Sequence, residues 1–115
     1  MTNIQFIEEK PVCLVEVQGI MKNLEKRDPE LNYRSVKTKD FLENFPPSLS
    51  AAKEKELYQK LVDLNLTRLK EEHIIKIIDF LPTSVNDLKA VLQAYPLSMP
   101  KKDQDAIVAV VKEFA

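Results

Sequence analysis

The sequence predicts a mainly α-helical protein, with an extended and helical N-terminal arm over residues 1–47 and a four-helix domain over 48–115. Three observations carry that prediction. Apolar residues recur at helical three-and-four spacing along most of the chain, from Leu14, Val17, Met21 and Leu24 to Ile107, Val110, Val111 and Phe114. Prolines punctuate these patterns at Pro29, Pro46-Pro47, Pro82, Pro96 and Pro100, where a helix cannot continue. The chain of 115 residues holds one glycine, Gly19, so turns of the hairpin kind have almost no material to form from.

Taken in order, residues 2–9 (TNIQFIEE) carry weak strand character, with Ile4 and Phe6 on one side of an extended chain and Ile7 on the other. Pro11 breaks the segment, and no turn signal folds it back onto residues 12–17. A strand without a partner edge is unstable in water. The economical expectation is strand addition to a sheet on another protein. Leu14, Val17, Met21 and Leu24 then line one face of a helix that runs to about Arg27. Its β-branched residues and Gly19 give it a poor intrinsic preference, so packing must hold it. Asp28-Pro29 closes it. A second amphipathic pattern clusters Phe41, Leu42 and Phe45 behind a polar run from Arg34 to Asp40, and Pro46-Pro47 ends the arm.

Ser50 is an N-cap for a helix over 51–65, whose inward positions are Leu57, Leu61, Val62 and Leu64. Residues 71–81 place Ile74, Ile77, Ile78 and Leu81 on one face, with Ile75 and Phe80 off it, which implies burial on more than one side. Pro82 stops that helix. Thr83 or Ser84 caps the next, with Val85, Leu88, Val91, Leu92 and Tyr95 inward. Ser98 is the expected cap of the last, with Pro100 tolerated in its first turn and Ile107, Val110, Val111 and Phe114 closing the core. Short connections between four helices suit a helical bundle.

Composition narrows the function classes. The 17 basic and 18 acidic residues nearly cancel, unlike the basic excess of a protein whose main task is gripping phosphates. One glycine cannot build a phosphate-cradling loop. Cys13 is the single cysteine, which excludes an internal disulfide and suits a reducing cytoplasm; no apolar run approaches a bilayer span, and MTNIQFIEEK lacks the pattern of a signal peptide. His73, the single histidine, has no second ligand near it in sequence and reads as a partly exposed side chain. Cys13, between Val12 and Leu14, reads as a small packing group. The pairs Glu71/Glu72 and Asp103/Asp105 fall in first helical turns, where negative charge favours the macrodipole. No metal or cofactor is expected, and no catalytic residue. Lys22 and Lys26 share a helix face, and Tyr33 beside Arg34 could stack on an unpaired base, so these four are the candidate RNA contacts. Interleaved Glu25, Asp28, Glu30 and Asp40 favour a solvated face.

A resemblance to a known family rests on residues in order. They are Ile77, Asp79 and Leu81-Pro82, then Asp87-Leu88 with Val91-Leu92, Leu97-Ser98, and Ile107-Val108 with Val111-Lys112. In the N-terminal half, Glu16-Val17, the run Leu24-Glu25-Lys26-Arg27 and the run Glu30-Leu31-Asn32-Tyr33 extend it to almost the full chain. The sequence resembles the small stalk component, designated F, of archaeal DNA-directed RNA polymerase, which is the counterpart of the fourth subunit in the eukaryotic enzymes. It departs at Lys70, where the family pattern has a capping hydroxyl residue, and in the β-branched character of residues 6–17.

The resemblance implies a non-catalytic polypeptide in a stable heterodimer with the larger stalk component, designated E, which carries an OB-fold. The two together form the stalk that projects from the polymerase core. It implies that residues 48–115 adopt an HRDC-like fold and that the stalk assists open-complex formation, contacts nascent RNA and supports termination. On this reading Ile4, Phe6, Ile7, Val12, Leu14, Val17, Met21 and Leu24 are the expected contacts with the OB-fold partner. The alternative is an autonomous HRDC-like module that binds single-stranded nucleic acid.

Overall fold

A computed structural model describes residues 4–95 and 97–115. Six helices follow one another: α1 (Leu14–Arg27), α2 (Tyr33–Asn44), α3 (Ala51–Asp63), α4 (Glu71–Phe80), α5 (Val85–Val91) and α6 (Lys101–Lys112). Among the described residues there is no strand, and the expected mainly α class holds. Residues 4–9 form no strand in this chain, as follows for a segment with no second edge to pair with. Thr2, where the expected strand begins, lies outside the described residues.

Local chemistry sets most helix ends. Asn32, Ser50 and Ser84 each accept at the side-chain oxygen from the backbone N–H three residues on, Ser35 at 2.8 Å, Lys53 at 3.3 Å and Asp87 at 3.1 Å. The α4 start is capped from the other direction. Lys70 stands at the N-cap, and an ammonium has no lone pair with which to accept. Instead His73 Nδ1 accepts from the Lys70 N–H at 3.0 Å, the reciprocal half of a capping box. At the other end Leu81 takes a left-handed conformation, φ 48°, and its N–H closes the helix onto the Ile77 carbonyl before Pro82.

The last helix starts later than expected. Ser98 does not cap it; Pro100, at φ -59° and ψ 152°, holds the chain extended until Lys101, and no side chain caps the first turn. The Ser98 carbonyl instead accepts from Arg68 Nη1 at 2.6 Å, while Leu97 and Met99 pack against the core on either side. The packed pair keeps this stretch out of helical geometry.

The core is built by α3, which lies against α4 and α6, and by α5, which bridges those two. Leu57, Leu61, Ile77, Leu88, Ile107 and Val111 are its most enclosed side chains, each at most 1% exposed. Fully burying an aliphatic side chain of this size contributes about 1.5–3 kcal/mol. One inward expectation fails, since Val62 is 39% exposed on the flank of its helix; of the two residues placed off the α4 face, Ile75 is buried as the expected second-side burial requires, whereas Phe80 is 65% exposed. The helix α1 reaches α3 through its first turn, and α2 packs on α1, where Met21 and Leu42 are buried. The result is elongated, 49 × 30 × 23 Å, with a radius of gyration of 16.3 Å. A compact domain of this length would have about 13 Å.

Candidate partner-binding surface

The expected interface residues divide into three groups. Ile4, Phe6 and Ile7 are 77%, 78% and 99% exposed, and Val12 is 37% exposed. Leu14, Val17 and Leu24 are half-buried on α1. Met21 is turned inward and buried, so it is not available at the surface of this chain, whereas Ile20 beside it is 53% exposed. Helical periodicity puts Met21 on the same stripe as Leu14 and Val17, but it cannot show that α2 folds back to cover that side.

The second exposed apolar group lies on α2. Tyr33 is 75% exposed with the Lys37 ammonium 5.4 Å from its ring centre, and Phe41 and Phe45 stack at 5.1 Å while remaining 50% and 63% exposed. Only Leu42 of the expected Phe41, Leu42, Phe45 cluster is buried. A three-residue apolar cluster wraps around a helix, so one neighbouring helix can cover only part of it.

At the root of the N-terminal segment the chain turns abruptly inward. Cys13 is 0% and Val15 7% exposed, both inside the cluster formed by Leu57, Leu61, Ile74 and Ile78. Leu14 N–H, a first-turn amide with no acceptor in its own helix, donates to Asp79 Oδ1 at 2.9 Å. Burial pushes the Asp79 carboxyl up from its usual range, the bond from Leu14 opposes this, and the nearby Glu16 charge adds to the rise.

Cys13, Glu16 and Glu54 bring one ligand atom each within 4.8 Å of one another, with Glu54 only 3% exposed. Burial is the chief cause that pushes the Cys13 thiol up to about 12, with the Glu54 and Glu16 charges adding. The Glu16 amide bond to its sulfur works the other way. The thiol is therefore protonated at neutral pH beside the Glu54 carboxylate, which makes the trio a helix start seated in the core. Cys13 packs as its sequence neighbours suggest.

His73 corrects an expectation. It is 4% exposed rather than partly exposed, with its ring edge-on to Tyr95 at 4.7 Å. Its Nδ1 accepts from Lys70, so Nε2 carries the proton, 3.7 Å from Glu72 Oε1. The histidine is consumed by capping and packing. Its position as the third residue of a helix whose cap residue cannot accept is the available signal.

The candidate RNA contacts Lys22, Lys26, Tyr33 and Arg34 are all exposed, the first two on α1 and the others at the start of α2. Around them Arg27 pairs with Asp28 at 2.8 Å and Lys39 with Glu25 at 2.8 Å, so acidic residues are interleaved with the basic ones as the sequence suggests. Glu71 and Glu72 stand exposed in the first turn of α4.

A search of curated proteins returns no match to this chain. A family model described as RNA polymerase Rpb4 matches residues 3–115, nearly the whole span over which the resemblance runs. With almost its whole length inside that match, the chain belongs to the RNA polymerase Rpb4 family, a family of RNA polymerase subunits.

Proposed function

We propose that this protein is the archaeal member of the Rpb4 family, a non-catalytic component of DNA-directed RNA polymerase, paired in the stalk with the larger OB-fold component. In that role it supports open-complex formation, nascent-RNA contact and termination, working in the cytoplasm with the polymerase. Residues 1–47 are then the partner-binding arm and residues 48–115 an HRDC-like domain. The described helices include none long and apolar enough to cross a membrane.

The observation that carries this reading is the exposed apolar run before α1. Ile4, Phe6 and Ile7 are three-quarters or more exposed in a segment that, among the described residues, forms no strand and finds no second edge to pair with. A solvent-exposed cluster of this kind is a liability to a free protein and an asset to an obligate partner. Strand addition would satisfy its backbone groups, and pockets for alternate side chains would bury its apolar residues.

Co-expression with an archaeal OB-fold stalk polypeptide tests the pairing. A complex that survives high salt is the expected result, because apolar burial is screened little. Failure of the two chains to co-purify overturns the reading. The alternative, an autonomous single-strand-binding module, draws on the exposed Tyr33 next to Arg34. It requires the isolated chain to bind single-stranded RNA with an affinity that falls steeply with salt.

A further inference from the structure

Within a few residues the chain passes from the exposed residues 4–10 to Cys13, which is 0% exposed. Three attachments hold that crossing point. Cys13 and Val15 are sunk in the cluster built by α3, α4 and α6, and between them the Leu14 N–H is held by Asp79 of α4, 65 positions away in sequence. The two side chains fix the depth of the segment's root. The hydrogen bond fixes its rotation, since a backbone N–H in a single 2.9 Å bond defines the direction of the peptide plane that precedes it.

We infer that Asp79 is a positioning residue for partner binding: by holding the Leu14 amide it sets the direction in which residues 4–12 leave the domain. The inference rests on the pairing proposed above. A segment that leaves from a fixed root has fewer arrangements to lose when a partner orders it, so holding the root raises affinity without adding a contact. Asp79 is held in its place at a cost. Its carboxylate is partly withdrawn from water beside the Glu16 charge, and the Leu14 amide is the group that compensates it. A side chain needed only for solubility would point outward. Here it closes the unsatisfied start of α1, where negative charge is also favoured.

Two variants of the full chain separate the role from general stability. Asp79→Ala removes the acceptor, whereas Asp79→Asn keeps an oxygen that can accept. In the protein alone, hydrogen exchange at the Leu14 amide is expected to quicken at least tenfold in Asp79→Ala and to stay slow in Asp79→Asn, with the Ile77 and Ile78 amides unchanged. In binding to the OB-fold partner, Asp79→Ala is expected to weaken affinity about fivefold or more, with Asp79→Asn close to wild type. Unprotected exchange at Leu14 in the wild type overturns the inference. So does equal binding by wild type and Asp79→Ala, which leaves the pairing itself standing. A wild-type chain that does not bind the OB-fold partner overturns the pairing, and the positioning role with it.

Discussion

Two isoleucine-rich stretches of this chain meet opposite fates. On α4, Ile74, Ile75, Ile77 and Ile78 are 5%, 7%, 0% and 3% exposed; before α1, Ile4, Phe6 and Ile7 are 77%, 78% and 99% exposed. Side-chain chemistry is nearly the same in the two. The difference is the company each element finds. The α4 helix satisfies its own backbone and is flanked by α3 and α5, so its apolar faces have surfaces to close on. An extended segment satisfies no backbone group by itself, and with no second edge among the described residues it has nothing to close on. Hydrophobicity selects residues for burial, but supply of a partner surface decides whether burial happens within the chain or between chains.

The largest effect should come from breaking the buried side of this comparison. Ile77→Ala is expected to cost about 2–5 kcal/mol, read as a drop in the midpoint of urea unfolding. Phe6→Ser should leave stability within about 0.5 kcal/mol of wild type, yet weaken binding to the OB-fold partner about tenfold or more. A large loss of stability in Phe6→Ser would mean that the segment packs on its own chain.

The junction between the two regions gives the next prediction, through pH. The folded thiol of Cys13 is raised from 9.0 to about 12, so between those values the native state holds a proton that the unfolded state releases. Stability must then fall as pH rises through that window, at up to about 1.4 kcal/mol per unit for this group. Tyr58, whose phenol is raised by burial and then by the charges of Glu71, Glu16 and Glu54, adds to the same fall. Unfolding curves at about pH 9 and pH 11, within the span set by the shifted thiol, should show a shallower decline in Cys13→Ala than in wild type. Equal declines would place the thiol in water.

A smaller effect, of opposite sign, is expected at Gly19. It lies inside α1, its backbone is not left-handed, and a Cβ there would meet nothing within 4 Å. Gly19→Ala should therefore raise stability by about 0.5–1 kcal/mol. If the same change weakens partner binding, the bare backbone at Gly19 is itself covered by the partner, and the interface extends along α1. Smallest of all, Tyr33→Ala with Arg34→Ala should leave stability unchanged within about 0.5 kcal/mol. A loss of single-strand RNA binding in that pair would favour the alternative function.

What the sequence could and could not convey follows from distance along the chain. The caps at Ser50 and Ser84 and the stops at Pro29 and Pro82 rest on neighbouring residues, and a reader of neighbours finds them. The Ser98 cap fails because Leu97 and Met99 answer to a core assembled from elsewhere. Met21 departs from expectation for the same kind of reason, since its cover is α2. The burial of His73 escapes the sequence because its lid is Tyr95, more than 20 positions on. The root of the N-terminal segment is the least legible. Asp79 is among the residues on which the resemblance rests, but nothing near it in sequence points to an amide 65 positions earlier.

That same span has a consequence during synthesis. A chain emerges N-terminus first, at about 5–20 residues per second, so roughly 3–13 seconds separate the making of Leu14 from the making of Asp79. Through that interval the segment carrying Ile4, Phe6 and Ile7 has no seat, because the acceptor for the Leu14 amide is not yet part of the chain. On the proposed pairing, a partner that arrives before α4 has folded meets a loose segment, and one that arrives afterwards meets an anchored one. The order of synthesis thus puts the segment before its seat, which is completed only once α4 has been made and has folded.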